Sequence, residues 1–165
     1  MKVLGIDPGT AACGYGIVNV DGGRLRGVEY GWWPTSARQP PALRLRQIHD
    51  AVCEVIERHG PEAVALEESF VGVDARTALF VGQARGAVLV ACAGHDLECT
   101  EYPPATIKKA VCGYGRAEKA QIQRMVKVIL GLAELPAPHH AADALAVAIC
   151  HALAPPALRL AGAVG

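Results

Sequence analysis

Two short apolar runs, each ending on a carboxylate, restrict this chain more than any other feature. Val3-Leu4-Gly5-Ile6 leads into Asp7, and Ala63-Val64-Ala65-Leu66 leads into Glu67. Apolar runs of this length, bounded by turn residues, read as buried strands. A sheet built from such strands needs cover on both faces. A carboxylate at the end of a buried strand costs desolvation unless a cation or a cluster of N–H groups meets it.

The other elements follow from periodicity and punctuation. Residues 14–20 and 25–33 read as strands, and Asp21-Gly22-Gly23 between them signals a tight antiparallel hairpin. After a loop over 34–41, residues 42–58 show helical spacing, with Leu45, Ile48, Val52, Val55 and Ile56 on one face. His59-Gly60-Pro61 stops that helix. A flexible stretch is expected over 69–73. Asp74 then suits the N-cap of a helix running to about Ala93. This helix is apolar on nearly all sides and is expected to be buried. Its small residues Ala75, Ala78, Gly82 and Gly86 form a stripe that another backbone can approach, from its own sheet or from a second subunit. Residues 97–102 read as a fifth strand, stopped by Pro103-Pro104. Short helices are expected over 105–111 and 117–130, and a last one over 139–153. The order predicts an α/β fold, a five-stranded mixed sheet with helices on both faces. A single domain is expected over 1–153, with 154–165 a short flexible tail.

Composition narrows the classes. The chain has 165 residues, 52% of them hydrophobic, enough for a sizeable core and too apolar for disorder. No apolar run reaches the roughly 18 residues a membrane span needs. The N-terminal residues lack the apolar stretch of a signal peptide. A cytoplasmic protein with no membrane association is expected. None of the six cysteines pairs with another in a C-x-x-C motif, so they read as small buried hydrophobes. Formal net charge is zero. The charge is uneven, however: Lys108, Lys109, Arg116, Lys119, Arg124 and Lys127 lie between 105 and 130, with Glu118 the only acid. A local basic face of this kind can bind phosphates on a neutral molecule.

Three acids stand out. Asp7 sits in Gly5-Ile6-Asp7-Pro8-Gly9-Thr10, a strand followed by a turn. That motif alone also fits a turn-capping Asp or the phosphate hairpin of actin-like kinases. Those proteins clamp nucleotide between two lobes, and this chain has one domain. Glu67 and Glu68 project to opposite faces by strand alternation, so only one of them can share a site with Asp7. Asp143 lies three residues after His140 and four after His139, so either imidazole can stand beside it on a helix. Several carboxylates brought together are what two-metal phosphodiester hydrolysis requires. Oxygen ligands of this kind suit magnesium or manganese.

Ordered motifs over nearly the whole chain then point to one family. Gly5-Ile6-Asp7-Pro8-Gly9-Thr10, Gly14-Tyr15-Gly16 and Leu66-Glu67-Glu68-Ser69-Phe70 resemble those of the RuvC family of bacterial Holliday-junction resolvases. So do Gly82-Gln83-Ala84-Arg85-Gly86, Ala117-Glu118-Lys119-Ala120-Gln121 and Ala142-Asp143-Ala144-Leu145-Ala146. The resemblance implies an RNase H-like fold, a homodimer, and paired symmetric nicks in opposing strands of a four-way DNA junction. It puts the family's metal positions on Asp7, Glu67, His140 and Asp143, with two divalent cations, Mg2+ or Mn2+, per subunit. Position 140 is commonly Asp in the family, and the softer His here is expected to favour manganese. The resemblance puts Lys108 and Lys119 on the active-site rim and makes Phe70 an aromatic that stacks on a base or wedges into the junction. Arg76, Arg85, Lys109 and Arg116 are further expected DNA contacts. The RuvA and RuvB branch-migration complex is the implied protein partner. The acids alone also suit another RNase H-like nuclease acting on RNA or RNA–DNA hybrids. A module that binds branched DNA without cutting is disfavoured by the retention of three carboxylates.

Overall fold

The computed structural model describes residues 1–9, 11–68 and 74–155. Strands β1 (Lys2–Pro8), β2 (Ala12–Asp21) and β3 (Arg24–Pro34) form an antiparallel meander. Gly22 and Gly23 turn the β2–β3 hairpin with φ of 55° and 81°, a conformation that glycine adopts without steric cost. Helix α1 (Pro41–His59) leads to β4 (Ala63–Glu67), which pairs parallel to β1. Helix α2 (Ala75–Ala93) leads to β5 (Cys99–Tyr102), parallel to β4. Helices α3 (Pro104–Cys112), α4 (Lys119–Leu130) and α5 (His139–Leu153) complete the described chain. The sheet order is β3-β2-β1-β4-β5.

Strand alternation splits the core into two layers. Leu4, Ile6, Cys13, Ile17, Val64 and Leu66 pack against α1 and α2. Val3, Val18, Ala65 and Tyr102 face the other way, against α3, α4 and α5. The central strands β1 and β4 are covered on both sides, which is why their sequences are continuously apolar. Asp7 and Glu67 share the parity of Val3 and Ala65, so both belong to the α5 side.

The placement of α5 is set by glycines. At Gly5 an added Cβ would collide with the Ala144 carbonyl oxygen and lie 2.7 Å from the Ala148 amide nitrogen. At Gly14 it would collide with the His140 carbonyl, and at Gly16 it would lie 2.7 Å from a Leu145 methyl. Bare backbone in β1 and β2, facing alanines on α5, lets this helix lie directly on the sheet.

Several expectations change in three dimensions. β5 begins at Cys99, because the Leu97 amide donates to the Cys92 carbonyl and keeps that residue in the turn after α2. Helix α2 is only half-buried: Ala84, Val88, Ala91 and Cys92 are inside, while Leu79 and Val90 are 64% and 63% exposed. Its apolar residues exceed what one sheet face can cover. Cys13, Cys92 and Cys150 are buried, but Cys53, Cys99 and Cys112 are only partly so. Arg44 replaces Leu45 as a buried residue of α1, with its guanidinium 3.7 Å from the centroid of Phe80. Asp74 does cap α2, accepting from the amides of Arg76 and Thr77 at 3.1 Å each. Apart from Ala154 and Pro155, the expected tail lies outside the described residues, as does the stretch 69–73. Among the described residues no helix is long and apolar enough to cross a membrane.

Candidate active site

The C-terminal ends of β1 and β4 and the first turns of α5 open onto one cleft of about 450 Å3. Asp7, Glu67, His140 and Asp143 all line it. β1 and β4 are parallel neighbours, so their last residues emerge side by side. Gly14 admits the His140 backbone against β2, and the helix then carries Asp143 onto the same rim. From 141 to 152, Asp143 is the one residue of α5 that is not buried.

The groups are electrostatically strained against one another. Burial pushes the Glu67 carboxyl up to about 8, and the charges of Asp7 and Asp143 and a hydrogen bond with Asp7 add to it, against the opposing pull of Lys119. Burial also raises Asp143, helped by Asp7 and opposed by Lys119 and the two histidines. His140 Nδ1 lies 3.3 Å from Asp7 Oδ2, and that hydrogen bond raises the imidazole against the effect of burial. Lys119 Nζ stands 3.8 Å from Asp143 Oδ2. Carboxylates this close must share a proton, recruit a cation, or both. Among the described residues no three His, Cys, Asp or Glu side chains stand ready as a closed ligand cage. Instead Asp7 is engaged by His140 and Asp143 by Lys119. The donor set of three carboxylates and one imidazole nevertheless fits a hard divalent cation, and the raised acids mark where positive charge is lacking.

Of the two histidines, His140 lines the cleft, while His139 is exposed and its ring lies tilted against that of His140, centroids 4.6 Å apart. Lys108 and Lys119 both line the cleft. Lys109 and Arg116 are exposed on the same α3–α4 segment but do not line it. Arg76 lies in the first turn of α2, on the wall of a neighbouring groove. Arg85 is not free for a DNA backbone: its guanidinium forks onto Glu101 of β5, with Nε 3.1 Å from Oε1. Phe70 lies outside the described residues. Glu68 also borders the cleft, which strand alternation alone does not foretell. The sequence reading missed the apolar part of the lining, Ala78 and Val81 of α2 with Ile107 of α3 and Ile122 of α4. Its one signal was the small-residue face of α2, which Ala78 shares.

Comparison with known proteins points to one family. The family model described as crossover junction endodeoxyribonuclease RuvC matches residues 3–151. The crossover junction endodeoxyribonuclease RuvC of Chloroflexus aggregans is 50% identical over 159 residues, 96% of this chain and 97% of that protein. Among solved structures, Thermus thermophilus RuvC superimposes with a TM-score of 0.85 at 43% identity, covering 92% of this chain and 93% of the other. The same Thermus protein in complex with Holliday junction substrate gives 0.84 at 41% identity over the same shares. The fold is RNase H-like, and the chain belongs to the RuvC family of crossover junction endodeoxyribonucleases.

Proposed function

We propose that this chain resolves four-way DNA junctions as a homodimer, making paired symmetric nicks with Asp7, Glu67, His140 and Asp143 holding two divalent cations, Mg2+ or Mn2+, in each subunit. The observation that carries this reading is the cleft itself. Three carboxylates and an imidazole from β1, β4 and α5 meet there, with burial and mutual repulsion lifting Glu67 to about 8. A Thermus thermophilus relative at 41% identity was solved in complex with Holliday junction substrate, which supports the same substrate here.

RuvC nucleases depend on divalent metal ions. The chemistry that bound cations supply in such a site is activation of water and neutralisation of the departing oxygen. The chain's own groups do the rest. Asp7, Glu67 and Asp143 present oxygen ligands once Glu67 and His140 have shed their protons. Lys119 and Lys108 offer ammonium groups to the non-bridging oxygens of the scissile phosphate, where negative charge accumulates in the transition state. Arg76, Lys109 and Arg116 contact the DNA backbone, and Phe70 stacks on a base at the open junction. The half-exposed face of α2, with Leu79 and Val90 uncovered and open space beside Gly82 and Gly86, supports that face as the subunit contact. We place the reaction in the cytoplasm, with the RuvA and RuvB branch-migration complex as partner.

The test is direct. The purified chain, incubated with a synthetic mobile four-way junction and Mg2+ or Mn2+, is expected to release two symmetric nicked duplexes. Glu67→Gln and Asp143→Asn should each reduce the rate at least roughly hundredfold. Equal cutting of linear duplex, or full activity in both variants, overturns the reading.

A further inference from the structure

A second groove, of about 780 Å3, adjoins the catalytic cleft, and Thr77 at the start of α2 lines both. The groove runs between the first turns of α1 and α2 and the start of β2, at the acid-bearing end of the sheet. Its chemistry is opposite to that of the cleft. Among the described residues that line it none is acidic, and two are arginines, Arg44 and Arg76. Asp74 lies beside Arg76 in the chain, but its carboxylate is taken up by the amides of Arg76 and Thr77 and by the Thr77 hydroxyl.

Arg44 is built into the groove. It is only 9% exposed, its guanidinium lies 3.7 Å from the Phe80 centroid, and its Nη2 donates to Thr35 Oγ1 at 3.3 Å. A guanidinium stacked on an aromatic ring has lost rotamer freedom before any ligand arrives. Gln39 adds a neutral side chain at the open edge.

We propose that this groove is a phosphodiester subsite. Arg44 and Arg76 hold the backbone of the DNA strand that continues from the catalytic cleft past the N-terminus of α2. The proposal deepens the junction-cleaving reading. It assigns to Arg44, Thr35 and Gln39 a positioning role for the strand being cut. These residues act on the substrate outside the reacting phosphate, so binding changes without loss of the metal ligands.

The experiment measures binding of the full-length chain to a synthetic four-way junction by fluorescence anisotropy, in chelator, so that no cleavage competes. The salt series is run for the native chain, Arg44→Gln, Gln39→Glu and Arg24→Gln. Arg24 lies at the β2–β3 hairpin, at the opposite end of the sheet from the acids, and serves as the charge control. Arg44→Gln should reduce the slope of log K against log salt by about 1. Gln39→Glu, an exposed change that leaves the core intact, should weaken binding on the order of tenfold. Arg24→Gln should bind like the native chain. Native affinity and slope in Gln39→Glu overturn the proposal even if Arg44→Gln fails to fold. An equal loss in Arg24→Gln also overturns it, since net charge alone would then be responsible. So does an altered sedimentation mass of Gln39→Glu with an unchanged slope, which assigns the groove to protein contact. Absence of junction binding by the native chain sinks the functional reading itself, and thus separates the two failures.

Discussion

Glu67 shows how one residue ties the site's chemistry to the stability of the chain. Its folded-state value of about 8 lies above the ordinary 4.5 of a glutamate. Between those two values the unfolded chain has released a proton that the native chain still holds. The native state then binds more protons, so metal-free stability falls as pH rises through this window. Glu67→Gln removes that dependence. In chelator at pH 8 it should be more stable than the native chain by roughly 1–3 kcal/mol, with the difference vanishing near pH 4. Adding Mn2+ should raise the native Tm and leave that of Glu67→Gln little changed. Parallel pH–stability curves for the two proteins, measured by urea titration, would contradict this.

His140 supports a second residue-scale prediction. An imidazole at this corner is a softer ligand than a carboxylate, so nicking should be faster in Mn2+ than in Mg2+. His140→Asp should narrow that ratio by moving the donor set towards oxygen. The same ratio of single-turnover rates in both proteins would remove the metal-preference argument.

At the scale of elements, the contact of α5 with β1 and β2 decides whether there is a site at all. Gly5 and Gly14 leave no room for a side chain beneath Ala144 and His140. Gly5→Ala should therefore cost about 3 kcal/mol, near the upper end for overpacking, and should shift α5 outward. Catalysis should fall further than folding does, because misplacing reacting groups by about 1 Å can cost about a hundredfold. The comparison is Tm against nicking rate at a temperature where the variant stays folded. A fully active variant with a lowered Tm would mean that α5 tolerates displacement.

Elements also show where sequence reading reaches its limit. The continuously apolar β1 and β4, the Gly-Gly hairpin and the Asp74 cap were legible, because each rests on local periodicity or a turn residue. The start of β5 was not. A backbone hydrogen bond from Leu97 to Cys92 sets it, and nothing in the residue types announces that bond. The burial of α2 was overestimated for a related reason. Hydropathy reports what a helix would prefer to hide and not what stands opposite it.

At the scale of the molecule, that uncovered face of α2 makes a prediction. If it joins two subunits, Val90→Lys should convert dimer to monomer in analytical ultracentrifugation, with little loss of monomer fold. The monomer should lose coordinated paired nicking, since each cut then depends on a separate binding event. A variant that keeps dimer mass would exclude this face as the contact.

The amino-acid sequence by itself determined the class of fold, the strands that end in acids and the membership of a metal-using nuclease family. Those properties are carried by local patterns: period-2 and period-3.6 apolarity, turn glycines and motifs in order. Only the tertiary structure decided that His140 faces Asp7 while His139 does not, that Lys119 stands by Asp143, and that Arg85 is occupied by Glu101. Each of these joins residues from different elements or chooses between neighbours on one helix. Such choices depend on how closely two backbones approach, and here glycine and alanine at the α5 contact set that distance.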